Sequence, residues 1–109
     1  MACAGCHRGG ADDGPPCGAV ATRFLDLATH DLSQAKVDDL ARRAVTDQLP
    51  AMRDALAQAC AQGGWSAAVR KCLVQAGDHA GFEACERQLT DEQRRDLDRA
   101  NRVPSAPAP

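Results

Sequence analysis

The chain contains no isoleucine and no tyrosine, and its aromatic residues are two phenylalanines and one tryptophan. Twenty-two of its residues are alanine, and only twenty are Val, Leu, Met, Phe or Trp. Small side chains bury little area, so at about 25 cal/mol per Å² of apolar surface such an interior stabilises weakly. In a chain of 109 residues a core this thin needs added staples, and six cysteines are the candidates. The shortage of β-branched residues argues against sheets, and the many alanines, leucines and glutamines argue for helices. There is no long apolar run to span a membrane and no signal peptide. Thirteen basic and fifteen acidic residues give a net charge of −2 with no run of either sign. That balance disfavours a nucleic-acid footprint and a polybasic membrane patch.

What is present reads as one all-α domain between two unpatterned ends. Residues 1–16 are rich in Gly, Asp and Pro and read as a flexible leader or tether, and 104–109 (PSAPAP) as a disordered Pro/Ala tail. Between them, residues 17–103 form the expected helical domain, an irregular bundle of about five short antiparallel helices. Cys17, Val20, Phe24 and Leu27 make one stripe over 17–30. Val37, Leu40, Ala41, Ala44 and Val45 make another over 34–48, and Pro50 is expected to break or kink the chain after Leu49. The next segment, 50–61, turns Met52, Leu56, Ala59 and Cys60 inward and ends at Gly63-Gly64. Ser66 caps 67–76, whose stripe is Val69, Cys72, Leu73 and Ala76, with Gly77 as its expected left-handed terminator. A short helix near 80–88 presents Phe82, Cys85 and Leu89. Thr90 and Gln93 form a capping box for 91–102, which turns only Leu97 and Ala100 inward.

Cys17, Cys60, Cys72 and Cys85 all fall on inner stripes, which favours disulfides over buried thiols. Four cysteines allow three connectivities. Cys72 and Cys85 lie equally far from a turn centred on Asp78-His79, so an antiparallel hairpin brings them opposite each other. Cys17 and Cys60 then pair by remainder. Disulfides place a small domain in an oxidising compartment, and the missing leader then makes this a mature or trimmed form.

The arrangement of Cys17 opening a helix, Cys60 before Trp65-Ser66, Cys72, and Cys85 before Leu89-Thr90 resembles small cysteine-rich, exported or lipid-anchored helical proteins of myxobacteria. The resemblance covers about 17–97 and implies location and fold rather than an activity.

Cys3-Ala4-Gly5-Cys6-His7 supports three readings. In the first, Ala2-Cys3 is the surviving end of a lipobox, Cys3 carries a lipid, and the Gly/Asp/Pro stretch tethers the domain to a membrane. In the second, the string resembles the c-type cytochrome haem motif, with Cys3 and Cys6 as thioether partners, His7 as axial ligand and Met52 as distal ligand, or else His30 or His79. Against it stand the lack of a preceding helix and the scarcity of aromatic lining. In the third, Cys3, Cys6, His7 and Cys17 bind zinc, although adjacent Cys6 and His7 are awkward in one tetrahedron.

No Ser–His–Asp set is apparent. Asp12-Asp13 and Asp38-Asp39 read as solvated charge and match no calcium loop. Arg94-Arg95 with Asp91, Glu92 and Asp96 reads as an exposed helix face, and Trp65 as a core plug. The reading that best unites these features is a non-enzymatic exported or lipid-anchored domain, periplasmic, outer-membrane-anchored or secreted, with a binding or structural role at a bacterial envelope. It implies an unidentified protein partner, no nucleic acid, no cofactor and membrane contact only through the lipid. The alternatives are a haem c electron-transfer protein and a zinc-binding module.

Overall fold

A computed structural model describes residues 14–102, all helix and connecting turns. The leader through Asp13 and the tail from Val103 lie outside the described residues, and so do Cys3, Cys6 and His7. The elements are α1 (Cys17–Gln34), α2 (Asp39–Gly63), α3 (Ala67–Gln75), α4 (His79–Glu86) and α5 (Asp91–Arg102).

Side-chain caps start four of them. Asp38 Oδ1 accepts the Ala41 amide of α2, Ser66 Oγ the Val69 amide of α3, and Asp78 Oδ1 the Gly81 amide of α4. Thr90 and Gln93 exchange reciprocal bonds of 3.0 Å at α5, the expected capping box. Asp38 is therefore a helix cap and not merely solvated charge, and α2 begins at Asp39 rather than 34.

Both disulfides form as the sequence suggests. Cys17–Cys60 ties the first turn of α1 to the last turns of α2, and Cys72–Cys85 ties α3 to α4, each with a Cα separation of 5.8 Å. Around them lies one core of Val20, Leu27, Leu56, Trp65, Val69, Leu73, Phe82, Leu89 and Leu97. Trp65 is the plug expected of it. Gly63 sits against its indole, where an added Cβ would lie 3.0 Å from Nε1. Gly64, at φ 60°, takes the left-handed conformation that ends α2.

Three expectations are corrected. First, α2 runs unbroken through Pro50. The missing Pro50 amide frees the Thr46 carbonyl, but Thr46 is exposed, so water can satisfy it. Leu49 and Leu56 on either side are both buried, and their packing offsets the local cost of about 3 kcal/mol.

Second, the stripe of Val37, Leu40, Ala41, Ala44 and Val45 does not enter the core. Val37 is 42 %, Leu40 78 % and Val45 44 % exposed, and both alanines are exposed as well. The core residues of α2 all lie from Leu49 onward, so its first half projects beyond the main packing.

Third, Gly77 is not a left-handed terminator, because Gly64 is the one positive-φ glycine among the described residues. The α3 helix stops when Ala76 becomes extended, and the Ala76 carbonyl then receives Arg23 Nε and Nη2 at 2.8 and 2.6 Å.

Replacing Cys17 and Cys60 by serine is expected to cost about 4 kcal/mol, and replacing Cys72 and Cys85 about 3 kcal/mol, from sequence separations of 43 and 13. Urea denaturation of the two double variants measures the order. Thr90→Ala, which removes a cap, is expected to cost about 1 kcal/mol in the same assay.

Candidate functional site

An apolar concavity lies between the C-terminal half of α1 and the middle of α2. Phe24, Ala28, Leu32 and Ala35 recur every three or four residues on one side of α1, and Val45, Leu49 and Met52 do so on α2. Two such faces side by side enclose an open groove of about 340 Å³. Asp31 and His79 supply its polar groups. Its inner end joins the core through Phe24, whose ring lies 6.1 Å from that of Phe82 at a 53° tilt.

The turn closing the outer end is held by one side chain. Arg42 donates from Nη1 to the Leu32 carbonyl, and from Nη2 to those of Ala35 and Val37 at 3.1 and 3.3 Å. The same side chain thus collects carbonyls at the end of α1 and in the turn that follows it.

Met52 and His79, named from the sequence as alternative distal ligands, both line this groove. His30 is exposed on α1 and is not among the lining residues. His79 Nε2 lies 3.2 Å from Glu83 Oε2 in an exposed i,i+4 pair. The zinc set loses one member, because the Cys17 sulfur is bonded to Cys60 and is not free as a thiolate. No group of three or more His, Cys, Asp or Glu side chains is arranged to hold a metal ion among the described residues. The Arg94–Asp91 and Arg99–Asp96 pairs lie on the exposed face of α5, as the charge pattern suggests, where such pairs contribute little.

A second cavity, about 430 Å³, separates α2 from α5 and is walled by Ala55, Ala59, Gln62, Asp96, Arg99 and Ala100. A third, about 510 Å³, runs beside Cys72 between Ala67, Lys71, Gln75 and Gln88.

Sequence reasoning missed three arginines that join elements. Besides Arg23 and Arg42, Arg70 is only 5 % exposed and donates to the Trp65 and Pro15 carbonyls at 3.1 and 2.7 Å. Gly14 packs so close to α3 that an added Cβ would come within 2.9 Å of Ala67. The last part of the presumed tether is therefore docked on the domain. The available signal was position: Arg70 lies on the buried side of α3 between Val69 and Leu73.

Burial pushes the Glu86 carboxyl above its ordinary value of 4.5, repulsion from Glu83 and Asp98 adds to this, and His79 opposes it. A folded-state pKa above the unfolded one means that the folded form holds the proton more tightly. Stability therefore falls as pH rises from the unfolded value through the raised folded value. Glu86→Gln is expected to melt above the parent at pH 7, with the gap closing as pH is lowered to about 4; thermal melts at both pH values measure it. No protein-family model, no curated protein and no solved structure matches the chain.

Proposed function

We propose that this is an exported, non-enzymatic helical domain that binds a protein partner at a bacterial envelope and is tethered there by a lipid on Cys3. The observation that carries the reading is the pair of disulfides in a chain with so thin a core. Such bonds fit an oxidising compartment. No helix among the described residues is long and apolar enough to cross a membrane; this reading puts the attachment on Cys3, with Ala2-Cys3 as the end of a lipobox. Gly14 and Pro15, packed on α3, would hold the end of that tether against the domain. The α1–α2 groove is the surface offered to a partner segment bearing apolar side chains, with Asp31 at its margin favouring a basic neighbour.

A second reading is favoured by one observation: Met52 and His79 line the same apolar groove. Haem held through Cys3, Cys6 and His7 would have either as a distal ligand there, and the domain would then transfer electrons.

Expression behind a bacterial lipoprotein leader, with labelled palmitate, separates the two. The parent and Cys6→Ser are expected to incorporate label and fractionate with membranes, and Cys3→Ser to lose both properties. Label retained by Cys3→Ser overturns the anchor. A Soret band after co-expression with haem-attachment machinery, abolished by Cys6→Ser, would install the haem reading instead.

A further inference from the structure

We infer that Cys72–Cys85 is an exchange site, at which a small anionic thiol enters the cleft beside α3 and takes the Cys72 sulfur into a mixed disulfide. This inference rests on the second disulfide and its surroundings, and is independent of the lipid-anchored reading and of the α1–α2 groove.

The two sulfurs of this bond have different surroundings. Cys85 is 5 % exposed and belongs to the core, whereas Cys72 is partly exposed and packs against the core from outside. Cys72 also lines the open cleft of about 510 Å³ between α3 and the turn after α4. That volume falls within the roughly 300–1,000 Å³ of small-molecule sites. A thiolate exchanges with a disulfide by attacking one of its sulfurs, at a rate that depends on access to that sulfur. The cleft gives access to Cys72, and the core withholds it from Cys85.

The rest of the cleft suits such a nucleophile. Ala67 and Ala68 leave room along α3. Lys71 is exposed and, of the six lining residues, alone carries a charge. A positive charge there raises the local concentration of an anionic thiol and favours its thiolate form. Gln88 Nε2 donates to Cys72 Sγ at 3.6 Å, so a hydrogen-bond donor already stands at the sulfur under attack.

The exchange balances without any further reagent. The incoming thiolate sulfur bonds to Cys72 Sγ, and the Cys72–Cys85 bond breaks. Its electron pair goes to Cys85 Sγ, which takes a proton from solvent because burial disfavours a thiolate. The incoming sulfur is oxidised and Cys85 is reduced. A second thiol can then attack the incoming sulfur and release Cys72 as a thiol, or Cys85 can close the bond again. The fold keeps α3 and α4 together meanwhile. Leu73, beside Cys72, and Phe82, one turn before Cys85, are 0 % and 1 % exposed, and Arg23 still holds the Ala76 carbonyl. Exchange therefore needs no global unfolding.

The test incubates the native chain, its free thiols first blocked by alkylation, with mercaptoethanesulfonate or with cysteamine. Acid quenching and peptide mapping by mass spectrometry then follow both disulfides, with Cys17–Cys60 as the internal reference. Cys72–Cys85 is expected to open roughly tenfold or more faster than the reference, with the adduct on Cys72. Lys71→Glu is expected to slow opening by mercaptoethanesulfonate about fivefold, and the effect to vanish near 1 M salt. Cysteamine, which carries no net charge as a thiolate, should change by less than about twofold in the same variant. Opening no faster than that of Cys17–Cys60 overturns the exchange site. So does an adduct on Cys85, or an equal response of the two thiols to Lys71→Glu; each of these would leave Cys72–Cys85 a structural bond alone.

Discussion

The Cys17–Cys60 bond holds the first turn of α1 against the last turns of α2, and the rest of the molecule is arranged about that joint. Trp65 follows directly from the end of α2, its backbone amide bonding the Cys60 carbonyl. From that point α3 folds back across α1, where Arg23 receives it at Ala76. The bond closes a long loop, which restricts the unfolded chain. It also allows Val20, Leu56, Val69 and Leu73 to meet without the bulky residues that a free-standing core of this size would need.

A fold anchored at one end has a corresponding weakness at the other. Both disulfides, Trp65 and Phe82 belong to or pack on the one buried core, while at the turn between α1 and α2 the Arg42 guanidinium holds three carbonyls. Apolar side chains that a larger domain would cover remain accessible there: the groove of Phe24, Val45 and Met52 on one side of α2, and Leu40 with its alanine neighbours on another. Contiguous apolar surface, unlike single exposed apolar side chains, marks contact sites on a small domain. That is why the proposed partner site falls on this half of the molecule.

Much of the helical pattern was legible. Residues whose effect is local read correctly: Ser66, Thr90 with Gln93, and Gly64 each act through their own few amides and carbonyls. The cysteine pairs were legible because hairpin symmetry places Cys72 opposite Cys85 and leaves one partner for Cys17. The failures share a cause. Pro50, Gly77 and the Val37–Val45 stripe were judged by local rules, yet each outcome depended on what packs nearby: Leu49 and Leu56 carry α2 through its proline, Arg23 takes up the Ala76 carbonyl, and no described helix covers Leu40. Of the candidate site, Met52 and His79 were named singly, and nothing local shows that one groove contains both.

By itself, then, the amino-acid order determined that the chain is helical, where most helices start, and that sulfur must supplement a core with few bulky side chains, because propensity, capping and side-chain volume are properties of a residue and its immediate neighbours. Tertiary structure alone decided which apolar stripe is buried, which arginines join elements, and where an open groove remains. Those outcomes depend on contacts between residues distant in sequence, such as Arg23 with Ala76 or Arg70 with Pro15, and on the finite number of helices available to cover any one face.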